Sequence, residues 1–283
     1  MRGIKNLKDK VTVITGAGSG IGRATALAFA RESADLVIAD LSEERLTGVA
    51  KEIEALGARV LTRRVDVSKR EDVEAFAKFV IQERGRVDIL HNNAGVSLSG
   101  ETAESSIENW EWIFGINFWG VLYGVKAFLP YMIERQSGHI VNTSSMFGLC
   151  APPATPAYNA TKFAVVGLSE GLRAEVRRYN IGVTTLCPGI VNTRIVADSR
   201  MEFKSNSLLT RDKLIRFYEK FALKPEQVAK AVVKAVRRNK AVVPVGPDAW
   251  FLWFTKRFSQ TLFESMMCLS ARVVLEKPKK GKT

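Results

Sequence analysis

Short runs of β-branched and apolar residues alternate with longer amphipathic stretches from the start of the chain to about residue 245. The short runs predict seven strands, at Val11–Thr15, Leu36–Ala39, Val60–Val67, Val87–Leu90, His139–Asn142, Gly182–Leu186 and Ala241–Val245. The stretches between them predict helices, over Ile21–Glu32, Ser42–Ala55, Lys69–Glu83, Trp110–Arg135, Tyr158–Tyr179 and Pro225–Arg238. Strands that are apolar on both faces and separated by helices indicate the α/β class, with one doubly wound parallel sheet of the Rossmann type and helices on both faces.

Two segments fall outside this alternation. Residues 193–223 follow the sixth strand and are polar and mixed, so we expect a lid over a site. Residues 247–276 follow the last strand and carry apolar residues at helical spacing, namely Phe251, Phe254, Phe258, Leu262, Met266, Leu269 and Val273. Charged and polar residues interrupt this stripe, which argues against a membrane span.

We therefore divide the chain into a Rossmann-type domain, residues 1–246 including the lid, and an amphipathic extension, residues 247–283, that ends in a basic tail. The extension either packs against the body, covers the pocket or a neighbouring subunit, or lies in a membrane interface with the help of its basic end. The sequence leaves these alternatives open.

The formal net charge of +13 is the unusual feature of the composition, and one basic run occupies residues 277–282. Such a balance suits nucleic acid, an anionic membrane or an anionic ligand. Because no basic motif is interleaved with aromatic residues, we expect no nucleic-acid partner. Cys150, Cys187 and Cys268 lie far apart, with neither a disulfide framework nor zinc spacing. Together with an N-terminus that does not resemble a signal peptide, this favours a cytoplasmic location.

A glycine-rich loop, Thr15-Gly-Ala-Gly-Ser-Gly-Ile-Gly22, joins the first predicted strand to the first helix. Glycine permits positive φ and a close approach of backbone to a pyrophosphate, and the helix start directs free N–H groups at that anion. The spacing is G-x-x-x-G-x-G, because Ile21 occupies the third glycine position of the G-x-G-x-x-G pattern. We expect the loop to bind a dinucleotide through Gly16, Ser19, Gly20, Ile21 and Gly22.

Asp40 ends the second strand about twenty residues further on, where a carboxylate can accept hydrogen bonds from the adenosine ribose hydroxyls. Its negative charge would oppose a 2′-phosphate, and Ser19 offers no cation to pair with one. Capping of the next helix falls more naturally to Ser42. The sequence thus favours NAD over NADP.

Tyr158 and Lys162 stand at i and i+4 on a predicted helix and therefore share one face. A phenol has a reference pKa near ~10, and a neighbouring ammonium lowers that pKa by favouring the phenolate. The pair is a candidate proton donor and acceptor for a carbonyl or alcohol oxygen. Ser145 follows a predicted strand, at the edge of the sheet where ligands bind. The two histidines, His91 and His139, lie on predicted strands and are interpreted as structural.

With these motifs in this order, residues 8–245 resemble the classical short-chain dehydrogenases/reductases. In that resemblance the glycine loop binds the cofactor, Asp66 and Val67 meet the adenine, and Asn93, within Asn92-Asn-Ala-Gly95, lies near the adenosine ribose. Asn117 matches an asparagine that distorts a helix and holds a water. Ser145 matches the serine that orients the substrate. Tyr158 and Lys162 match the Y-x-x-x-K pair, and Thr193, after Pro188-Gly189, matches a contact to the nicotinamide carboxamide.

The resemblance implies hydride transfer between NAD(H) and a secondary alcohol or ketone, with no metal. Asn117, Ser145, Tyr158 and Lys162 would be catalytic, Ser145 and Tyr158 would bind the substrate, and Tyr158 and Lys162 would also contact the cofactor. A homodimer or homotetramer is implied as well. An NADPH-preferring carbonyl reductase and a dinucleotide-binding regulator without turnover are the alternatives.

The residues expected to line the substrate pocket favour a bulky, apolar, steroid- or lipid-like molecule. They come from 97–102, 146–153 and 190–196 and from the lid, with Val96, Leu98, Met146, Phe147, Leu149, Ile190, Ile195, Val196, Met201 and Phe203 as the apolar side chains. Arg194 is the one candidate clamp for a carboxylate.

Overall fold

A computed structural model of the chain describes residues 3–202, 212, 215–216 and 222–275, and the basic tail and most of the predicted lid after Glu202 lie outside them. The strands of this part are β1 (Val11–Thr15), β2 (Asp35–Asp40), β3 (Val60–Arg64), β4 (Ile89–Asn92), β5 (Leu98–Gly100), β6 (Gly138–Thr143), β7 (Ile181–Pro188), β8 (Arg200–Glu202) and β9 (Val242–Val245). Seven of them form one sheet in the order β3-β2-β1-β4-β6-β7-β9, and every neighbouring pair is parallel. The predicted doubly wound sheet is confirmed.

The main helices are α1 (Gly20–Ala30), α2 (Glu43–Ala55), α3 (Arg70–Arg84), α4 (Ile107–Phe114), α5 (Gly120–Glu134), α6 (Pro156–Val176), α7 (Pro225–Arg238), α8 (Pro247–Phe258) and α9 (Gln260–Leu275). One apolar core joins α1, α2 and α7 to one face of the sheet. A second core joins α3, α5 and α6 to the opposite face. The helices therefore cover both faces, as the strand pattern predicts.

Two strands and one helix depart from the predicted bounds for reasons that the hydrogen bonds show. β3 stops at Arg64, three residues early, because Asp66 turns: its N–H donates to Asp72 Oδ2 (3.3 Å) and its carbonyl accepts from Lys69 N–H (3.0 Å). β4 covers Ile89–Asn92, later than predicted, because Asp88 caps the strand start by accepting the Val11 N–H (2.9 Å).

The predicted helix over 110–135 begins earlier, at Ile107, because the Ser106 hydroxyl accepts the Asn109 N–H and caps it. A π-helical turn, Gly115–Trp119, interrupts the helix between α4 and α5. Among the described residues, 107–134 is the one stretch long and apolar enough by composition to cross a membrane. Its buried members, such as Val125 and Phe128, lie in the core beneath the sheet, which is typical of a core helix.

Both histidines are fully buried on strands, which confirms the structural interpretation. The Nε2 of His91 lies 2.9 Å from Thr143 Oγ1, and that of His139 lies 2.8 Å from Thr184 Oγ1. Burial lowers the pKa of each imidazole to about 3, and Arg173 adds to the effect at His139. Both rings are therefore neutral in the folded chain at neutral pH.

The fold should consequently lose stability in acid below pH 6.5, the ordinary pKa of histidine, because the unfolded chain takes up protons that the folded chain refuses. For His139 alone the loss between pH 6.5 and 5 is about 1.5 kcal/mol. Denaturant unfolding of wild type and His139→Gln at both pH values measures it. The variant should show a smaller acid-induced loss, and an equal loss would contradict the assignment.

Candidate active site

A cleft of about 270 Å³ opens where β1, β2 and β4 end, and it collects most of the predicted dinucleotide residues. Its lining includes Gly16, Ser19, Gly20, Ile21, Asp40, Asp66, Val67, Asn93 and Thr193. Gly22 does not line it. The last glycine instead packs beneath the loop, where a side chain would collide with the Gly16 carbonyl oxygen.

The backbone of the loop has the shape that a pyrophosphate requires. Gly16 and Gly20 have φ of +64° and +51°, and a Cβ on Gly16 would lie 2.7 Å from the Ala94 Cα. Helix α1 begins at Gly20, and Ser19 precedes it without a capping hydrogen bond from its side chain. The first N–H groups of α1 thus face the cleft, so the residues present fit a phosphate group.

Asn93 ties the end of β4 to the glycine loop. Its amide Nδ2 donates to the carbonyl oxygens of Thr15 and Gly16, each at 3.1 Å. The Thr15 hydroxyl accepts in return from the N–H groups of Asn93 (3.1 Å) and Ala94 (3.2 Å). The asparagine therefore stabilises the loop conformation as well as lining the cleft.

Asp40 lies at the end of β2 and lines the cleft, and each of its carboxylate oxygens accepts a backbone hydrogen bond. Oδ2 accepts the Gly18 N–H (2.9 Å) and Oδ1 accepts the Ser42 N–H (3.1 Å). The helix cap is Ser42, whose hydroxyl accepts the Arg45 N–H, as expected. Arg45 also lines the cleft. The sequence does not single out this arginine, although it stands only five residues after Asp40, in the first turn of α2.

Asp66, Val67 and Thr193 close the two ends of the cleft. The Asp66 carboxylate accepts from the hydroxyl (2.6 Å) and the N–H (3.0 Å) of Ser68, which fixes the turn after β3. A Cβ on Gly120 would lie 3.0 Å from the Val67 side chain, so α5 packs closely on this turn. Thr193 lies over the loop, with its methyl 2.9 Å from the position of a Cβ on Gly20.

Asn117 occupies the π-helical turn and is fully buried. Its side chain forms two hydrogen bonds with the backbone of Val96: Oδ1 accepts the N–H (2.8 Å) and Nδ2 donates to the carbonyl (2.9 Å). Nδ2 also donates to Thr161 Oγ1 (3.2 Å). A Cβ on Gly95 would lie within 3.4 Å of both Asn117 Oδ1 and Lys162 Nζ. The helix distortion expected at this asparagine is present, and it places the π-helical turn against α6.

Tyr158 and Lys162 project from the first turns of α6 into the same region. The Lys162 ammonium lies 5.5 Å from the centroid of the Tyr158 ring and donates to the Thr143 carbonyl at the end of β6 (3.2 Å). Only 3% of Lys162 and 9% of Tyr158 is exposed. Burial lowers the pKa of Lys162 to about 8, while the nearby Cys187 thiol acts in the opposite direction. At neutral pH the group is still mainly an ammonium.

Ser145 follows β6 and caps the short 3₁₀ turn 146–148, its hydroxyl accepting the Phe147 N–H at 3.2 Å. The neighbouring Ser144 hydroxyl donates to the Lys162 carbonyl at 2.8 Å, which fixes α6 against the end of β6. Ser145, Tyr158 and Lys162 all line a second cavity of about 300 Å³.

The second cavity is the candidate substrate pocket, and it meets the dinucleotide cleft along shared walls at Ile21, Asn93, Gly95, Thr193 and Ile195. Of the predicted apolar lining, Met146, Phe147, Ile190, Ile195 and Val196 are present. Val96 instead lines the first cleft and Leu98 is buried in a small core beside it, because β5 turns that side chain inward. Leu149 and Met201 are absent from the lining, and Phe203 lies outside the described residues.

The described start of the predicted lid is held by a two-stranded parallel sheet, β5 with β8, that the sequence did not reveal. Glu202 accepts from the Ser106 N–H (3.1 Å) and from Asn109 Nδ2 (2.6 Å), which ties β8 to the start of α4. Arg194 pairs with Asp198 on the surface (3.1 Å) and does not line the pocket, so its expected role as a carboxylate clamp is not supported.

Asp248 is a residue of the site that sequence reasoning missed. It lies in the first turn of α8, and its Oδ2 accepts the Ile190 N–H at 2.7 Å, in the loop between β7 and Thr193. Gly189 is required beside it, because a Cβ there would collide with the carboxylate. An acidic residue after Gly246-Pro247 is typical of a helix start. The sequence therefore gives a local explanation for Asp248 and no sign of its bond to Ile190.

Replacement of Asp248 by alanine should lower the free energy of unfolding by about 1–3 kcal/mol, because the Ile190 N–H then loses its acceptor. Asp248→Asn keeps an acceptor oxygen and should recover a good part of this loss. Chemical denaturation of the three proteins measures the difference. Equal stability of wild type and Asp248→Ala would show that the bond does not hold the loop.

Comparison with known proteins gives a consistent set of matches. Residues 10–203 match the family model for short chain dehydrogenases. The chain is 40% identical over 250 residues to the oxidoreductase SadH of Mycobacterium tuberculosis, covering 87% of this chain and 89% of that one.

Two solved structures are similar throughout. A short-chain dehydrogenase/reductase from Burkholderia phymatum, crystallised with NAD, has a TM-score of 0.82 at 34% identity, covering 93% of this chain and 97% of that one. Levodione reductase has a TM-score of 0.77 at 31% identity, covering 86% and 99%.

Proposed function

The chain belongs to the short-chain dehydrogenase/reductase family and is an NAD(P)-dependent oxidoreductase, and on this premise we propose that it interconverts a bulky apolar secondary alcohol and its ketone with NAD(H). The observation that carries the proposal is the juxtaposition of Tyr158 and Lys162 in the substrate pocket, where the Lys162 ammonium lies beside Gly95, a residue of the wall that the two cavities share. NAD, when bound, supplies the nicotinamide that accepts or returns the hydride.

In this proposal Tyr158 moves the proton of the substrate oxygen. During oxidation its phenolate takes the hydroxyl proton as the hydride leaves the carbinol carbon, and during reduction its phenol returns that proton. The buried Lys162 ammonium favours the phenolate, since a desolvated positive charge acts strongly over a few ångströms. Ser145 holds the substrate oxygen beside Tyr158. Asn117 fixes the backbone at Val96 and would hold a water that takes up protons passed on by Lys162.

The character of the pocket supports an uncharged, largely apolar substrate. Lys162 is the one charged side chain among the described residues that line it, and apolar walls are supplied by Met146, Phe147, Pro152, Pro153, Ile190 and Val196. A volume of about 300 Å³ lies at the small end of the range for small-molecule pockets. A steroid- or lipid-like alcohol fits this chemistry better than a carboxylate.

Replacing Tyr158 by phenylalanine should reduce turnover by about 10²–10⁴-fold, since it removes the proton-transferring oxygen. NAD binding, followed by fluorescence quenching, should change little. The assay records NADH absorbance with a panel of steroid, aliphatic and aromatic secondary alcohols. Tyr179→Phe, remote from both cavities, is the matched control. Wild-type turnover in Tyr158→Phe would refute the assignment, and NAD binding without turnover of any alcohol or ketone would favour the regulator.

Asp40 supports NAD as the cofactor, while Arg45 on the same wall is the specific feature that favours the second candidate, an NADPH-dependent carbonyl reductase. A 2′-phosphate would meet the Asp40 carboxylate before it could pair with Arg45. We give the carboxylate more weight, because its oxygens are fixed at the cleft by two backbone N–H groups.

Wild type should bind NAD at least about tenfold more tightly than NADP, and Asp40→Ser should abolish this preference, because hydrogen bonds to a charged acceptor contribute about 1.5–3 kcal/mol. Adding Arg45→Gln to Asp40→Ser should then weaken NADP binding. Fluorescence titration with both cofactors measures this, with Glu74→Gln on α3 as a charge-removal control. Tighter NADP binding by wild type would overturn the preference.

We also propose a cytoplasmic homodimer or homotetramer. The large exposed side chains Ile107 and Trp119 on the α4–α5 unit, 68% and 44% exposed, support a subunit contact there. The buried free thiols of Cys150 and Cys187 suit a reducing compartment.

A further inference from the structure

Helices α8 and α9 form a hairpin that is attached to the body by one of its sides. Ala249 and Phe263 are buried, with 0% and 4% exposed, and the Lys256 ammonium lies 4.6 Å from the centroid of the Phe163 ring on α6. Near its end, α9 places Val274 in the wall of the substrate pocket. The hairpin therefore has a definite inner side, and that side borders the pocket.

The opposite side carries an apolar stripe that is open to solvent. Phe251, Phe254 and Phe258 follow one another at helical spacing on α8, with exposed fractions of 59%, 59% and 88%. Leu262 and Leu269, two turns apart on α9, continue the stripe with 49% and 63% exposed. These residues belong to the stripe predicted from the sequence, and packing against the body of the same chain does not account for them.

The stripe is a concentrated patch, in contrast to single apolar residues scattered over a surface. Of the ten large hydrophobic side chains that are exposed in the described part of the chain, six lie between Trp250 and Leu269. Trp250 adds to it by stacking on Phe254 with ring centroids 5.4 Å apart. A patch of this size, rich in tryptophan and phenylalanine, indicates a binding surface that prefers the boundary between water and an apolar phase.

The extension that carries the patch is rich in basic residues. Residues 247–283 contain seven lysines and arginines against three acidic residues. Of the acidic residues, Asp248 is turned inward to the Ile190 N–H and Glu264 accepts from Gln260 Nε2 (2.8 Å). Arg257 and Arg272 are exposed on the hairpin, and four of the lysines fall in the sequence after the last described residue. An apolar stripe flanked by cations has the composition of a helix that lies in a membrane interface.

We propose that the α8–α9 hairpin docks the chain on an anionic phospholipid bilayer. The phenylalanines would enter the boundary between headgroups and acyl chains, and Arg257 and Arg272, both exposed on the hairpin, would meet lipid phosphates. A second copy of the chain is the weaker occupant, because two such surfaces would bring their cations together, whereas an anionic bilayer supplies the opposite charge. This proposal does not depend on the proposed redox reaction.

Docking by this surface would also give the substrate pocket a lipid neighbour. Helix α9 contributes Val274 to the pocket, and α8 packs on the 3₁₀ turn 146–148 that forms another part of its wall. An apolar substrate dissolved in the bilayer would then reach the pocket across a short path at the hairpin.

Vesicle co-sedimentation of the full chain, without cofactor or substrate, tests the proposal. Vesicles of phosphatidylcholine with phosphatidylserine should bind wild type at least about tenfold more strongly than phosphatidylcholine alone, because each cation near an anionic surface contributes about 1 kcal/mol. The triple variant Phe251→Ser, Phe254→Ser, Phe258→Ser should lose at least about tenfold of the binding to anionic vesicles. The control is Leu56→Ser, an exposed apolar residue at the end of α2 beside β3, the edge strand opposite β9, and this variant should bind as wild type does.

A second variant keeps the test decisive if the triple variant folds poorly. Arg257→Gln with Arg272→Gln changes two exposed side chains and should weaken binding about fivefold per cation removed. Wild-type binding by either hairpin variant, or equal binding to neutral and anionic vesicles, would overturn the proposal. It would also be overturned if the chain ignored vesicles and the triple variant became a smaller oligomer in light scattering, since the stripe would then be a subunit contact.

Discussion

The Lys162 ammonium is buried between the end of β6 and the start of α6, and much of the site depends on how the chain accommodates it. Its one described hydrogen bond runs to the Thr143 carbonyl, and its burial lowers its pKa to about 8. A charge in such a place needs fixed neighbours, because desolvation is costly. The hydrogen bond from the Ser144 hydroxyl to the Lys162 carbonyl fixes α6, and the bonds between Asn117 and Val96 fix the π-helical turn. Both make the surroundings of the ammonium rigid. Tyr158, one turn away, is held in place by the same contacts.

The parallel sheet explains why these groups meet. All seven strands of the main sheet run in one direction, so their carboxyl ends share one edge. The glycine loop after β1, Asp40 on β2, Asn93 after β4 and Ser145 after β6 all lie along that edge. The dinucleotide cleft and the substrate pocket are therefore adjacent and share a wall at Gly95, beside the Lys162 ammonium. The loop after β7 borders the substrate pocket, and the Asp248 carboxylate on α8 bonds to the Ile190 N–H of that loop. The C-terminal extension is therefore attached directly to the site.

Local patterns carried most of the fold and the candidate site, because strands buried on both faces and helix caps leave clear signals in the sequence. Hydrogen bonds between residues that are distant along the chain leave no such signal. The carboxylate of Asp248 on the Ile190 N–H and the pairing of β5 with β8 depend on which loops the sheet brings together. The glycine pattern predicts Gly22 as a cofactor contact, whereas the structure packs it beneath the loop. The sequence also does not determine that the apolar stripe containing Phe258 faces solvent, because an amphipathic pattern does not show which partner its apolar face contacts.

The most direct test of this account is an ultraviolet titration of Tyr158 with NAD bound, taken as the difference between each protein and its Tyr158→Phe counterpart. It is carried out in the wild-type background and with Lys162→Met. If the buried ammonium favours the phenolate, as we propose, the Tyr158 ionisation midpoint lies at a clearly higher pH in the Lys162→Met background. The same midpoint in both backgrounds would contradict the account, because the lysine would then have no influence on the phenol.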